Sequence, residues 1–173
     1  MNIYLTGYRA TGKSTVAALV ARELGWSWLD TDELVETAAG MSIAEIFSRQ
    51  GEAGFRSREQ QAISQAISLG GQVVALGGGA IIDEANRELL QGTGPVVWLT
   101  ASVATILARL ETDPATASRR PALSQQGTRE EIEQLLDERT PVYEESAELV
   151  IATDQLTPRQ VADQVVCWLE DRQ

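Results

Sequence analysis

Residues 7–14, with the sequence Gly-Tyr-Arg-Ala-Thr-Gly-Lys-Ser, decide the fold of this chain because they match the pattern G-x-x-x-x-G-K-[ST] in full. An apolar run, Ile3–Thr6, precedes them, and helically spaced apolar residues follow over Lys13–Leu24. A glycine-containing loop between a strand and a helix turns its backbone amides toward phosphate at the helix N-terminus. The stretch therefore predicts a phosphate-binding loop (P-loop) whose ligand is a nucleoside triphosphate.

Apolar runs alternate with helical patterns along the rest of the chain. Further strands are predicted at residues 26–29, 73–76, 96–99 and 149–152, with helices between them. This alternation predicts a parallel sheet, buried on both faces, in a three-layer α/β/α sandwich. Because no segment is typical of a linker, we expect one domain that spans residues 1–173.

The composition, with 43% hydrophobic and 23% charged residues, is typical of a globular protein. The net charge of −11 argues against a broad surface for nucleic acid or anionic membranes. No apolar run approaches the ~18 residues of a membrane span, and no basic leader precedes the first strand. The single cysteine, Cys167, lies in an apolar segment, so we expect a buried thiol and a cytoplasmic protein.

Two features of the residue inventory limit the chemistry. The chain has no histidine, which excludes a histidine base and a histidine metal site. Lys13 is the only lysine, and it lies within the P-loop. Its ammonium is expected to reach the β- and γ-phosphates, while the hydroxyl of Ser14 binds Mg²⁺.

The acidic residue that usually completes a P-loop site is absent from its usual strand. The apolar run at residues 73–76 ends in three glycines rather than in an aspartate. Asp30 and Asp32 instead follow the second predicted strand. Two interpretations are open: one carboxylate faces a metal and the other an acceptor, or the pair only caps a helix and favours its dipole.

Several arginines are candidates for binding a second, anionic ligand. Arg56 and Arg58 follow Gly54-Phe55, Arg119 and Arg120 precede Pro121, and Arg139 precedes Thr140. Each of these arginines is either a solvated surface charge or part of an anion site. The glycines at residues 77–79 allow either a simple turn or the close approach of a ligand.

The order and spacing of these motifs resemble the shikimate kinases over nearly the whole chain. The motifs that carry the resemblance are the P-loop, Asp30-Thr31-Asp32, Gly54-Phe55-Arg56 with Glu59, Gly77-Gly78-Gly79, Arg120-Pro121 and residues 139–143. The resemblance implies a five-stranded parallel sheet in the order 2-3-1-4-5. It also implies transfer of the ATP γ-phosphoryl group to the 3-hydroxyl of shikimate, in aromatic amino acid biosynthesis.

The resemblance also implies a role for each matching residue. Lys13, Asp32 and Arg120 would be catalytic, with Arg120 carried by a lid at about residues 112–128. Asp30 would bind Mg²⁺ together with Ser14, and Arg109 would lie beside the adenine. The nucleotide-binding set is Gly7, Ala10, Thr11, Gly12, Lys13, Ser14, Thr15, Arg109 and Arg120. The acceptor-binding set is Asp32, Arg56, Gly77, Gly78, Gly79 and Arg139, with a helical segment at about residues 32–62.

Ala10 departs from the family pattern, which usually has another glycine there. The general P-loop pattern permits any residue at this position, so nucleotide binding is still expected. The pattern does not determine how the alanine affects turnover. Two other functions stay open on the residues alone. One is a kinase of a different acceptor, such as gluconate or a nucleotide, and the other is a ligand-sensing relative without catalysis. The family's members are commonly monomers, and a monomer is expected here.

Overall fold

Five parallel strands form the centre of the computed structural model, which describes residues 1–112 and 129–172. The strands are β1 (Ile3–Thr6), β2 (Ser27–Asp30), β3 (Gln72–Ala75), β4 (Val96–Thr100) and β5 (Leu149–Ala152). They pair in the order β2-β3-β1-β4-β5, and every pair is parallel. The predicted fold class and strand order are therefore confirmed.

Helices connect the strands and cover both faces of the sheet. They are α1 (Lys13–Leu24), α2 (Thr31–Ala39), α3 (Ile43–Leu69), α4 (Glu84–Leu90), α5 (Val103–Thr112), α6 (Arg129–Ser146) and α7 (Pro158–Glu170), with a 3₁₀ turn at Ala80–Ile82. A capping box of Ser42 and Glu45 begins α3, and Gly51, with φ of 68°, kinks this helix. Among the described helices, none is long and apolar enough to cross a membrane.

The core lies on the two sides of the sheet, as the alternation of side chains along β1 illustrates. Ile3 and Leu5 point to the side that α1 and α7 cover, whereas Tyr4 points to the side of α3, α4 and α6. All three side chains are fully buried. The central strand is thereby held from both sides, and its carboxyl end is a rigid base for the P-loop.

The expectation that every strand is buried on both faces is wrong for the two edge strands. Trp28 of β2 is 39% exposed and Val150 of β5 is 51% exposed, because each strand has a neighbour on one side only. The expectation of a buried thiol is also wrong. Cys167 is exposed, since the buried residues of α7 recur along another face, at Val161, Val165 and Leu169.

The side chain of Asn2 joins three elements at the amino end of the sheet. It is buried, and its amide nitrogen donates to the Ala66 carbonyl of α3 at 2.8 Å. Its oxygen accepts from the Gln72 amide of β3 at 3.0 Å. Removing it leaves a buried carbonyl and a partly buried amide without these partners.

We therefore expect Asn2→Ala to lower the free energy of unfolding by about 2–3 kcal/mol, measured by urea denaturation. Ser68→Ala is the control, because the Ser68 hydroxyl is exposed and bonds the Gln65 carbonyl within the same helix. The control is expected to change stability by less than about 0.5 kcal/mol. Equal stabilities of the Asn2 variant and the wild type would contradict this account of the amino edge.

Candidate active site

The carboxyl ends of β1, β2 and β3 bring three predicted site segments to one edge of the sheet. The P-loop follows β1, Asp30 ends β2, and the glycine triplet at residues 77–79 follows β3. Because β3 lies between β2 and β1, the triplet lies between the acidic pair and the P-loop. Open α/β sheets bind their ligands at this edge.

The P-loop wraps closely around the N-terminus of α1. Gly7 has φ of 136°, and a Cβ there would lie 2.3 Å from the Leu99 carbonyl oxygen, so only glycine fits. Gly12 precedes α1, and no side-chain cap of this helix occurs in the described part of the chain. The Lys13 ammonium donates to the carbonyl oxygens of Gly7 and Tyr8, at 2.9 Å each. Uncapped amides and one cation suit a phosphate group.

The two threonines of the predicted nucleotide site differ in their surroundings. Thr11 is buried, and its hydroxyl donates to the Tyr8 carbonyl at 2.8 Å. Thr15 lies exposed on the first turn of α1. Thr11 therefore stabilises the loop from within, whereas the side chain of Thr15 is accessible to a ligand.

Ala10 adopts a left-handed backbone conformation, with φ of 61°. Within residues 1–112 and 129–172 it is the only residue other than glycine with a positive φ. This conformation costs a residue with a Cβ roughly 1–2 kcal/mol. The alanine at position 10, where the family usually has glycine, therefore strains the P-loop backbone.

Asp30 caps a helix and also contacts the P-loop helix. One carboxylate oxygen accepts from the Asp32 amide at 2.9 Å and from the Glu33 amide at 3.4 Å, which caps α2. The other accepts from the Ser14 hydroxyl at 2.5 Å. The two interpretations that the sequence left open are therefore compatible, since capping engages one oxygen and leaves the second beside Ser14.

The donor set around Ser14 and Asp30 fits a magnesium ion. No group of three or more acidic, cysteine or histidine side chains able to hold a metal occurs among the described residues. Mg²⁺ commonly takes only one or two protein oxygens and completes its shell with water and phosphate oxygens. A hydroxyl and a carboxylate oxygen in contact next to a phosphate site match that requirement.

The first glycine of the triplet lies against two carboxylates. A Cβ at Gly77 would lie 2.6 Å from Oδ1 of Asp32 and 3.1 Å from Oε1 of Glu59. The Gly77 amide donates to the buried hydroxyl of Thr31 at 2.8 Å, which ties the triplet to the start of α2. The absence of a side chain at Gly77 therefore makes room for Asp32 at the edge of the sheet.

Arg56 is held by acidic neighbours on its own helix. Its Nη1 donates to the buried carboxylate of Glu59 at 2.7 Å, and its Nη2 contacts Glu52 at 3.3 Å. Burial lowers the pKa of Arg56, but the charges and hydrogen bonds of Glu59 and Glu52 outweigh it and raise the pKa overall. Arg56 is therefore a permanent cation with a fixed orientation.

The last two glycines of the triplet lie beside both predicted acceptor arginines. A Cβ at Gly79 would lie 3.4 Å from Nη1 of Arg56 and 3.9 Å from Nη1 of Arg139. The Gly78 carbonyl accepts from the Tyr143 hydroxyl at 2.5 Å and from Arg139 at 3.5 Å. Two guanidinium groups from α3 and α6 thus flank one turn, which suits a small anion such as a carboxylate.

Arg109 of α5 contacts the P-loop and Thr153, the residue that follows β5. Its guanidinium donates to the Ala10 carbonyl at 3.1 Å and to the hydroxyl and carbonyl of Thr153, at 2.9 Å each. Hydrogen bonds from Ser102 and Thr105 hold the pKa of the adjacent Asp154 at about 2. The loop after β5 is thereby tied to the start of α5.

Three residues with clear structural roles were given none by sequence reasoning: Glu59, Tyr143 and Thr153. The spacing of Glu59, three residues after Arg56 on one helix, is a local signal for its ion pair. No local signal in the sequence indicates the roles of Tyr143 and Thr153.

Two other arginines of the sequence analysis are not placed in the acceptor pocket. Arg58 bonds Gln50 at 3.1 Å. Arg120 lies outside the described residues, as do residues 113–128 of the predicted lid.

The family model, the curated relatives and the solved structures each include shikimate kinases among their matches to this chain. The family model described as shikimate kinase matches residues 9–170. A shikimate kinase of Rhodopirellula baltica is 42% identical over 95% of this chain and 88% of its own length. One of Vibrio cholerae is 38% identical over 98% of this chain and 95% of its own. The solved structure of shikimate kinase from Acinetobacter baumannii in complex with shikimate has a TM-score of 0.91 and 35% identity, covering 99% of this chain and 94% of that one.

The strain at Ala10 predicts that Ala10→Gly stabilises the protein. The change removes about 1–2 kcal/mol of backbone strain from the folded state. Glycine is also more flexible in the unfolded chain, which offsets about 0.4–1 kcal/mol of this gain. We expect the free energy of unfolding, measured in urea without ligand, to rise by about 0.5–1 kcal/mol. Ala18→Gly within α1 is the control and should lower it by about 1 kcal/mol. A loss of stability in the Ala10 variant would contradict the strain.

Proposed function

The chain belongs to the shikimate kinase family, and we propose on that basis that it transfers the γ-phosphoryl group of ATP to the 3-hydroxyl of shikimate. The products are shikimate 3-phosphate and ADP, and the reaction belongs to aromatic amino acid biosynthesis. The observation that carries the proposal is the meeting of a P-loop with a pocket of two arginines and an aspartate around residues 77–79. The relative of known structure that contains shikimate covers 99% of this chain, which supports the choice of acceptor.

The nucleotide half of the site consists of the P-loop and its neighbours. The amides of residues 7–14 and the ammonium of Lys13 bind the phosphates, and Lys13 then exchanges its bonds to the loop carbonyls for phosphate oxygens. Ser14 and Asp30 hold Mg²⁺, which when bound neutralises phosphate charge. Arg109 lies on the side of the adenine.

The acceptor half binds a carboxylate and a hydroxyl at the same time. Arg56 and Arg139 hold the carboxylate of shikimate, because planar guanidinium groups match a carboxylate bidentately. The backbone of residues 77–79 approaches the ring closely, since it carries no side chains. Asp32 orients the attacking hydroxyl and accepts its proton as the new phosphate ester forms and the bond to ADP breaks.

Other parts of the proposal depend on family resemblance and composition. Arg120 closes over the phosphates with the lid and excludes water, which would otherwise hydrolyse ATP. The protein acts as a single-domain monomer in the cytoplasm, on a small molecule rather than on nucleic acid or a membrane, in keeping with its net charge of −11. Phosphorylation of another acid alcohol such as gluconate, or ligand sensing without catalysis, is the alternative.

An acceptor panel tests the proposed reaction directly. ADP release is followed by a coupled assay with shikimate, quinate, gluconate and nucleoside monophosphates. We expect release that depends on shikimate, with the other acceptors at least about a hundredfold weaker in kcat/KM, which corresponds to about 2.7 kcal/mol of discrimination. Release with gluconate alone would reassign the acceptor, and tight binding of shikimate without ADP release would support a sensor.

Asp32→Asn tests the acceptor carboxylate. The amide keeps the shape of the side chain but cannot take the hydroxyl proton, so we expect kcat to fall roughly 10²–10⁴-fold. ATP affinity, measured by calorimetry, should remain within about twofold. Glu33→Gln, one residue further along α2, is the matched control and should retain wild-type turnover. Wild-type kcat in the Asp32 variant would refute the assignment.

Arg56→Ala tests the proposed carboxylate pocket. Loss of a charge-assisted bond, about 1.5–3 kcal/mol, should raise KM for shikimate about ten- to a hundredfold. KM for ATP should not change. Arg58→Ala is the matched control, because Arg58 lies on the same helix and its guanidinium bonds Gln50. An equal rise in KM for shikimate in both variants would count against a specific carboxylate contact.

A further inference from the structure

Arg109 connects the P-loop to the far edge of the sheet. Its guanidinium donates to both oxygen atoms of Thr153, at 2.9 Å each, and one of the same nitrogens reaches the Ala10 carbonyl at 3.1 Å. These bonds lie along the edge of the planar group. They leave its faces available for the contact with adenine that the family resemblance implies, so the bond to Ala10 is a separate interaction.

Thr153, which holds the Arg109 guanidinium, is itself fixed by hydrogen bonds to β4. Thr153 is buried, and both its amide and its hydroxyl donate to the Thr100 carbonyl at the end of β4, at 2.9 Å each. The next residue, Asp154, accepts bonds from the start of α5. The position of the guanidinium is therefore set by β4, β5 and α5 rather than by the P-loop.

The Ala10 carbonyl controls the direction of a P-loop amide. A trans peptide is planar, so the carbonyl of Ala10 and the amide of Thr11 share one rigid plane and point in opposite directions. A bond that fixes the carbonyl fixes the amide as well. Ala10 requires such a restraint more than glycine would, because its left-handed φ of 61° is strained.

We propose that Arg109 is a positioning residue that keeps the P-loop in its phosphate-binding conformation by bonding the Ala10 carbonyl. The inference deepens, and rests on, the proposed binding of ATP at this loop. It assigns Arg109 a contribution to the affinity for the phosphates themselves, independent of any contact with the base. The contribution depends on the alanine at position 10, because a glycine adopts the same conformation without help.

A double-mutant cycle with a ligand that lacks the base tests this role. The affinity of Mg²⁺-tripolyphosphate is measured by calorimetry for the wild-type chain, Arg109→Ala, Ala10→Gly and the double variant. We expect Arg109→Ala to weaken tripolyphosphate binding about five- to tenfold when residue 10 is alanine. The same change should weaken it less than about twofold in the Ala10→Gly background, since the restraint is no longer needed.

Two outcomes would overturn the inference. An unchanged tripolyphosphate affinity in Arg109→Ala, with weaker ATP binding, would assign Arg109 to the base alone. An equal loss in both backgrounds would mean that its charge acts on the phosphates directly rather than through Ala10. Thermal unfolding of each variant verifies that the compared chains are folded at the temperature of the titration.

Thr153→Val separates positioning from charge, because it removes one anchor of Arg109 and keeps the guanidinium. We expect a two- to threefold loss of tripolyphosphate affinity with Ala10 and none with Ala10→Gly; no loss in either would contradict the anchoring. The readout is independent of the acceptor. A chain that binds tripolyphosphate in this pattern but does not phosphorylate shikimate would refute the proposed function and leave this inference intact.

Discussion

The close approach of the P-loop to the glycine triplet holds the two halves of the site together. A Cβ at Gly78 would lie 3.4 Å from the backbone nitrogen of Arg9 and 3.5 Å from the Gly7 carbonyl oxygen. Gly7 is packed in turn against the Leu99 carbonyl of β4. These loops leave adjacent parallel strands, β1 and β3. The P-loop and the proposed acceptor pocket are therefore parts of one rigid edge, and their separation is set by the spacing of the strands.

The local charge of the proposed acceptor pocket is opposite in sign to the net charge of the chain. The chain carries 25 acidic and 14 basic residues, yet Arg56 and Arg139 meet at Gly79. The buried Glu59 does not abolish that positive character; it orients Arg56 and keeps it charged. An anion that enters the pocket meets guanidinium groups already held in place, so less conformational entropy is lost on binding.

Several groups in this protein both stabilise the fold and form part of the proposed site. Asp30 caps α2 with one oxygen and contacts Ser14 with the other. The Gly78 carbonyl accepts from Tyr143, which also stacks on Trp98 in the core, with ring centroids 5.4 Å apart. Because the same groups hold the fold and shape the proposed site, a substitution at these positions is expected to lower stability together with activity.

Residues close together in the chain determined the P-loop, the alternation of strands and helices, and the capping box of α3, because each depends on spacing over a few positions. From these patterns the fold class, the phosphate-binding residues Lys13 and Ser14 and the candidate aspartates and arginines followed from the sequence alone. The strand order and the expected roles of the acceptor-side residues came from family resemblance. The exposure of the edge strands and of Cys167 could not be predicted from the sequence, because it depends on which elements pack against them. The bonds from Tyr143 to Gly78 and from Arg109 to Thr153 join residues 65 and 44 positions apart. These bonds support the proposed acceptor pocket and the P-loop, and only the tertiary structure determines them. They form because the order of the strands brings segments that are distant in the chain to one edge of the sheet.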